Sequence, residues 1–311
     1  MDPVVGLSGA TQPSANQPSA TQPHATQPRR IGRRVFDFDR RFAVMAVVNR
    51  TPDSFFDKGA TFALDRAVAA CLRAAEDGAD WVDIGGVPFG RGPVVTLEEE
   101  LSRVVPVVEA VAAASDVVIS VDTHNAEVAR QSIAAGAAVI NDTSGLWDAD
   151  LVRVIAESAA TLVLTHSLQP PRSAHPSPQY GDVVTEVADF LREKVAVAVA
   201  GGIPLERLVV DPGHDLNKNT RHSLELTRRL DEIVAIGLPT LAAVSNKDFV
   251  GESIDREQGA RLAGSLAAAV VCIMKGARIV RMHDVPATVE AVRMTEAILG
   301  MREPAWEKHN R

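Results

Sequence analysis

The chain has 311 residues and a formal net charge of −8, with 46% hydrophobic but only 4% aromatic residues. The acidic balance excludes a surface built for nucleic acid, because phosphate contacts need clustered Lys and Arg. No apolar run approaches the roughly 20 residues of a membrane span. Cys71 and Cys272 lie in Ala-rich helical stretches and fit buried free thiols of a reducing compartment, so a cytoplasmic protein is expected.

Taken in chain order, residues 1–30 come first and differ in kind from the rest. Ala10-Thr11-Gln12-Pro13, Ala20-Thr21-Gln22-Pro23 and Ala25-Thr26-Gln27-Pro28 repeat a Pro/Gln/Ala unit with almost nothing apolar to bury. Such a tract cannot offset its ordering entropy and is expected to be a disordered tail. It also lacks the apolar segment of a secretory signal. Residues 31–311 are compositionally even and read as one domain.

Within that domain, eight short apolar runs each end on polar residues. The run Val44–Val48 leads to Asn49, Trp81-Val82 to Asp83, Val118–Val121 to Asp122, and Val139-Ile140 to Asn141-Asp142. Leu162–Leu164 leads to Thr165-His166, Leu208–Val210 to Asp211, Leu241–Val244 to Ser245-Asn246-Lys247, and Ile279-Val280 to Arg281 and His283. Helical stretches lie between them, over 65–77, 97–113, 125–135, 148–158, 183–200, 220–236, 256–275 and 286–299. Several end in the glycine that supplies a left-handed C′ residue, as at Gly78, Gly136 and Gly276. The runs are short, β-branched and not alternating, as strands covered on both faces should be. Eight alternating strand–helix units with polar residues at every strand end predict a TIM (β/α)8 barrel, whose active site lies at the C-terminal rim.

That rim carries carboxylates at Asp83, Asp122 and Asp211, amides at Asn49 and Asn141, cations at Lys247 and Arg281, and imidazoles at His166 and His283. Ionised carboxylates only accept hydrogen bonds, so they suit a ligand edge rich in N–H donors. Arg281 and His283, at i and i+2, project to one side of an extended segment and suit an anion such as diphosphate. His166 reads equally well as a satisfied core histidine.

These residues carry a resemblance. Asn49-Arg50-Thr51-Pro52-Asp53-Ser54-Phe55 resembles the opening signature of dihydropteroate synthases, the sulfonamide-target enzymes of folate synthesis. The likeness continues in order through Asp83-Ile84-Gly85-Gly86, Ser120-Val121-Asp122-Thr123, Ile140-Asn141-Asp142, Asp211-Pro212-Gly213, Lys247 and Arg281-Met282-His283-Asp284. The resemblance implies a barrel binding dihydropterin diphosphate in its mouth. Asp122, Asn141 and Asp211 would read the aminopyrimidine edge, Lys247 the carbonyl side, and Asp83 would support Arg281. Arg281 and His283 would hold the diphosphate, with Asn49 acting through Mg2+. Lys247, Arg281 and His283 would be the catalytic set, stabilising the departing diphosphate as the amine of p-aminobenzoate attacks. The resemblance also implies p-aminobenzoate or a sulfonamide-like analogue as a second ligand, and a homodimer.

Three departures from the family pattern fall on or near the second-ligand side. Where the family has Glu-Ser-Thr-Arg-Pro-Gly, this chain has Val87-Pro88-Phe89-Gly90-Arg91-Gly92-Pro93. The family's Ser-Arg-Lys-Ser becomes Ser245-Asn246-Lys247-Asp248, so that Asp248 either sets a repelling carboxylate at the p-aminobenzoate position or caps a shifted helix start. The family's Asp-Pro-Gly-x-Gly-Phe-Gly-Lys becomes Asp211-Pro212-Gly213-His214-Asp215-Leu216-Asn217-Lys218, with two glycines lost and an acid gained. With Asp57-Lys58-Gly59-Ala60-Thr61-Phe62, this set resembles a second dihydropteroate-synthase homologue of actinobacteria. The expected function is a divergent homologue that keeps the pterin-diphosphate site, alters the p-aminobenzoate site and condenses the two weakly or not at all. The alternatives are a fully active synthase, which is a transferase that releases diphosphate, and a pterin-dependent methyltransferase-like protein or non-catalytic partner.

Overall fold

Gly32, with φ of 59°, turns the chain between two short antiparallel strands, β1 (Arg29–Ile31) and β2 (Arg34–Phe36). This hairpin begins just inside the stretch expected to be tail. Its Arg-rich sequence hides it, since only Ile31 and Phe36 show the apolar face that it buries. The protein is seen here as a computed structural model that describes residues 27–49, 60–87, 94–169, 173 and 177–309, with the backbone alone at 49 and 60–63. Most of the repeat tail, the Thr51–Phe55 signature, the 57–59 variant segment and the altered loop from Pro88 to Pro93 lie outside the described residues.

The eight apolar runs form the expected strands. In chain order the elements are β3 (Ala43–Asn49), α1 (Ala60–Glu76), β4 (Trp81–Gly85), α2 (Leu97–Ala114), β5 (Val118–Asp122), α3 (Ala126–Ala135), β6 (Val139–Asp142) and α4 (Asp150–Ala156). They continue with β7 (Thr161–Thr165), α5 (Val183–Ala200), β8 (Leu208–Asp211), α6 (Thr220–Arg228), α7 (Leu230–Val234), β9 (Leu241–Ala243), α8 (Asp248–Ile254), α9 (Leu262–Met274), β10 (Ile279–Met282) and α10 (Val285–Ile298). The strands pair in parallel in the order β8-β7-β6-β5-β4-β3-β10-β9. A parallel bridge between Val210 and Thr240 joins the two ends and rounds the sheet into a barrel.

Four helices differ from the sequence expectation, the first being α1, which starts at Ala60 and not at 65. The stretch over 220–236 is two helices, broken at Arg229, whose guanidinium pairs with Asp182 and Glu232. The stretch expected over 256–275 begins only at Leu262, and an extra short helix, α8, precedes it. Asp255 ends α8 in the left-handed region, φ 55°, so one continuous helix cannot form there. Finally, α4 starts after Asp148, because that carboxylate turns back to accept from the Asp150 and Ala126 amides.

The period of two along each strand decides what faces inward. Val44, Val82, Ile119, Ile140, Leu162, Val210, Ala242 and Val280 pack outward against the helices. Met45, Trp81, Val118, Val139, Val163, Val209, Leu241 and Ile279 point inward and pack on Ile31, Phe36 and Phe38. Phe36 stacks on Phe38 at 5.7 Å and meets Trp81 edge-on at 5.9 Å. The hairpin therefore plugs the N-terminal end of the barrel. Two residues further along their strands, Trp81, Val139, Val209 and Ile279 are followed by Asp83, Asn141, Asp211 and Arg281, which inherit the inward direction.

Candidate functional site

Asp83 is the hub of the inward-facing polar layer and is fully buried. Its Oδ1 accepts from Ser120 Oγ at 2.6 Å; its Oδ2 accepts from Asn141 Nδ2 at 3.0 Å and Arg281 Nε at 2.7 Å. The register explains the convergence. Asp83 lies opposite Ser120 on β5, and Asp122 lies opposite Asn141 on β6. Arg281 reaches across the barrel and also donates through Nη2 to Asp122 Oδ2 at 3.4 Å. Such a pair needs its surroundings, because desolvating two charges costs several kcal/mol per ion (~20 by the idealised Born limit) unless further hydrogen bonds satisfy them. Ser120 and Asn141 supply those bonds.

Asp122 remains partly open to the mouth and accepts from Thr143 Oγ1 at 3.3 Å. Burial and the neighbouring Asp83 charge push its carboxyl upward, against the opposing pull of Arg281. Burial also raises Asp211, although the Gly213 amide donates to its Oδ1 at 2.7 Å. Gly213 sits at φ 67°, and a Cβ there would lie 2.5 Å from the His166 carbonyl oxygen, so glycine is required for the turn that orients Asp211. Asn141 is buried, and its Oδ1 has no hydrogen-bond partner among the described residues. An unpaired buried amide oxygen costs about 1–3 kcal/mol, which a donor from a ligand would recover.

On the other side of the mouth, Lys247 follows β9 and is half-buried. Burial lowers its ammonium pKa, opposed first by the charge of Asp215. His283 is exposed, and its Nδ1 lies 3.0 Å from Ser245 Oγ. Desolvation and the charges of Arg281 and Lys247 lower its pKa, favouring the neutral ring. Asn49 ends β3 in register with Gly85, itself opposite Asp122, which sets its backbone at the same rim. Among the described residues no group of three or more His, Cys, Asp or Glu side chains could hold a metal ion.

All eight residues expected at the site thus lie at the inner layer or rim of one barrel end. His166 belongs elsewhere. It is buried beneath the rim, packs edge-on against Phe190 at 4.7 Å and lies 2.8 Å from Lys218 Nζ through Nδ1. Burial, followed by the Lys218 charge, lowers its pKa to about 2, so it is a neutral core residue.

Asp248 corrects one of the two alternatives read from the sequence, because it does not cap α8. Lys247 holds the cap position, and the Asp248 carboxylate, 80% exposed, accepts from Arg261 Nη1 at 2.8 Å. The Phe249 amide at the start of α8 donates instead to Asp215 Oδ2 at 3.3 Å. Sequence reasoning also missed the part played by Ser120. A lone serine gives no signal in sequence; only the strand register shows that Ser120 faces Asp83.

A family profile described as pterin binding enzyme matches residues 45–283. The chain belongs to that family. It is 44% identical over 270 residues to a protein of Mycobacterium leprae named inactive dihydropteroate synthase 2, covering 85% of this chain and 93% of that relative. It is 41% identical over 261 residues to the Escherichia coli dihydropteroate synthase, covering 84% and 93% of the two chains. Among solved structures, the Xanthomonas albilineans dihydropteroate synthase with 4-aminobenzoic acid superimposes with a TM-score of 0.81 at 39% identity. That superposition covers 88% of this chain and 98% of the other. This protein is therefore a divergent homologue of dihydropteroate synthases on a TIM barrel.

Proposed function

We propose that the barrel mouth binds 6-hydroxymethyl-7,8-dihydropterin diphosphate and that its condensation with p-aminobenzoate is weak or absent. The observation that carries the pterin half is the Asp83–Arg281–Asp122–Asn141 cluster, in which the Asn141 Oδ1 has no partner among the described residues. Asp122 and Asp211 offer acceptors for the N–H groups of an aminopyrimidine, and Asn141 adds an acceptor beside them. Lys247 would donate to the ring carbonyl. Arg281 and His283, on β10 and just beyond it, would hold the diphosphate.

Mg2+ suits this donor set only as a partner of the diphosphate. It prefers oxygen ligands, retains water and commonly binds through one or two protein groups plus substrate phosphate oxygens. Asn49 would supply the protein oxygen, and the bound ion would offset charge on the leaving group. In the family reaction the amine nitrogen forms a C–N bond to the pterin methylene as the C–O bond breaks. Diphosphate leaves with the electron pair, and the amine proton passes to solvent. Lys247, Arg281 and His283 would stabilise that leaving charge; no side-chain nucleophile is needed.

Two observations support a weak reaction with p-aminobenzoate. The Mycobacterium leprae relative bears the name of an inactive synthase. In addition, Asp215 brings a carboxylate to the Phe249 amide beside Lys247. The identity with the Escherichia coli enzyme favours the second reading, a fully active synthase. A synthase assay with pterin diphosphate, Mg2+ and labelled p-aminobenzoate separates them. Turnover of ~1 per second or faster selects the active enzyme.

A homodimer is proposed through α9 and α10, whose neighbouring surfaces expose Val271, Met274, Met294 and Ile298. Exposed apolar side chains on two packed helices favour a second copy. A cytoplasmic location is proposed from the two free, buried cysteines, which suit a reducing compartment; no helix among the described residues is long and apolar enough to cross a membrane.

A further inference from the structure

Asp215 is held by more contacts than a solvated loop acid requires. Its backbone is left-handed, φ 63°, and its amide donates to Ser223 Oγ at 3.1 Å. The same hydroxyl donates back to Asp215 Oδ1 at 2.9 Å, so one serine fixes both ends of the residue. The remaining oxygen, Oδ2, accepts from the Phe249 amide at 3.3 Å. The loop after β8 thus reaches sideways to the loop after β9, which carries Lys247, and β9 pairs directly with the strand of Arg281.

The described cations near this position already have partners in the same chain. Arg281 pairs with Asp83 and Asp122, and Arg261 with Asp248. Lys247 faces Asp215, Asp211 and Asp122. Lys218 donates to the Gly213 and Leu216 carbonyls and contacts His166. The solved relatives include complexes with 4-aminobenzoic acid and with indole-2-carboxylic acid, both carboxylates. In this chain an arriving carboxylate would meet Asp215 at the Phe249 amide and beside Lys247. Like charges set together at an interface cost several kcal/mol.

We propose that Asp215 is the specificity-determining acid of the second-ligand subsite, and that the subsite takes a neutral arylamine lacking a carboxylate. This inference rests on the pterin-diphosphate reading of the mouth. Asp215 fills an anion's place with the chain's own carboxylate, leaving the amine end of an acceptor to approach the pterin methylene unhindered. Asp248, turned outward to Arg261, takes no part.

The test uses calorimetry in two stages on the full chain. First, 6-hydroxymethyl-7,8-dihydropterin with inorganic diphosphate and Mg2+ is titrated into the protein. Second, p-aminobenzoate and its neutral isostere 4-aminobenzamide are titrated separately into the saturated protein. The amide is expected to bind about tenfold or more tightly than the acid. Asp215→Asn should bring the two affinities to near parity. Asp215→Gly, well suited to the left-handed backbone, should do the same if the asparagine variant folds poorly. Tighter binding of p-aminobenzoate to the unmodified chain, binding of neither amine, or an unchanged preference in both variants overturns the inference. A blank first stage overturns the pterin reading and this inference with it, and is seen before either amine is added.

Discussion

Arg281 and Asp83 meet at 2.7 Å inside the barrel although they lie on the last and second strands of the ring. The pair ties β10 to β4 across β3, and Nη2 of the same guanidinium goes on to Asp122 Oδ2. Removing its carboxylate leaves a guanidinium that is only 17% exposed with Asp122 as its remaining carboxylate, at 3.4 Å. Asp83→Ala is therefore expected to lower unfolding free energy by about 3–5 kcal/mol and to weaken pterin-diphosphate binding. Urea denaturation with parallel titration checks both; a stability loss within about 0.5 kcal/mol, the ordinary range of surface substitutions, would contradict it.

Phe36 predicts the reverse pattern. It fills the closed end of the barrel, away from the mouth, and is fully buried. Phe36→Ala should cost about 3–5 kcal/mol of stability. Pterin binding, measured well below the midpoint of unfolding, should be unchanged. A large loss of affinity in folded protein would show that the plug also shapes the site.

His166 and His214 predict a pH dependence. Burial lowers both, to about 2 and about 3, in each case aided by the Lys218 charge. Between those values and the ordinary histidine range near 6.5, the unfolded chain binds protons that the folded chain refuses. Stability contributed by the neutral rings is thus full above about pH 6.5 and falls with acidification, at up to about 1.4 kcal/mol per pH unit for each ring. The raised carboxyls of Asp122 and Asp211 act with the opposite sign, holding protons longer in the folded state. The histidine contribution is isolated by comparing His166→Gln with the unmodified chain in urea at pH 7 and pH 5. The variant should lose less stability on acidification; identical losses would contradict the assignment.

Asp248 predicts a small effect. Its carboxylate is largely solvated, where pairing is worth about 0–1 kcal/mol, and its buried partner Arg261 keeps bonds to the Arg256 and Asn246 carbonyls. Asp248→Ser should therefore shift stability by no more than about 1 kcal/mol and leave second-ligand preference unaltered. Asn246→Arg is the riskier change, because Asn246 holds a left-handed φ of 57° that a longer side chain tolerates poorly. A large gain in p-aminobenzoate affinity from Asp248→Ser alone would restore Asp248 as the repelling acid.

Much of this organisation was legible in the sequence, for a physical reason. Each strand is short and covered on both faces, so its apolar run and polar end stand out against amphipathic helices, and Asp83, Asp122, Asn141, Asp211 and Arg281 could be picked from those ends alone. The hairpin was not legible because its burial depends on a partner surface, Trp81 and Met45, that exists only after the barrel closes. Nor was the role of Asp215. Its charge was evident, but its contact with Phe249 spans two loops and depends on a left-handed backbone at a non-glycine residue, which sequence pattern disfavours. Asp248 misled for the same reason: Arg261, its partner, lies beyond a helix break that the periodicity does not reveal.

The central claim is a working pterin-diphosphate pocket in the barrel mouth. Its most direct test is calorimetric titration of 6-hydroxymethyl-7,8-dihydropterin diphosphate with Mg2+ into the unmodified chain and into Asp211→Ala. Saturable binding at one ligand per chain, weakened at least about tenfold by the substitution, is the predicted result, since a lost charge-assisted bond is worth about 1.5–3 kcal/mol. No binding to the unmodified chain, or equal binding to both, would contradict it.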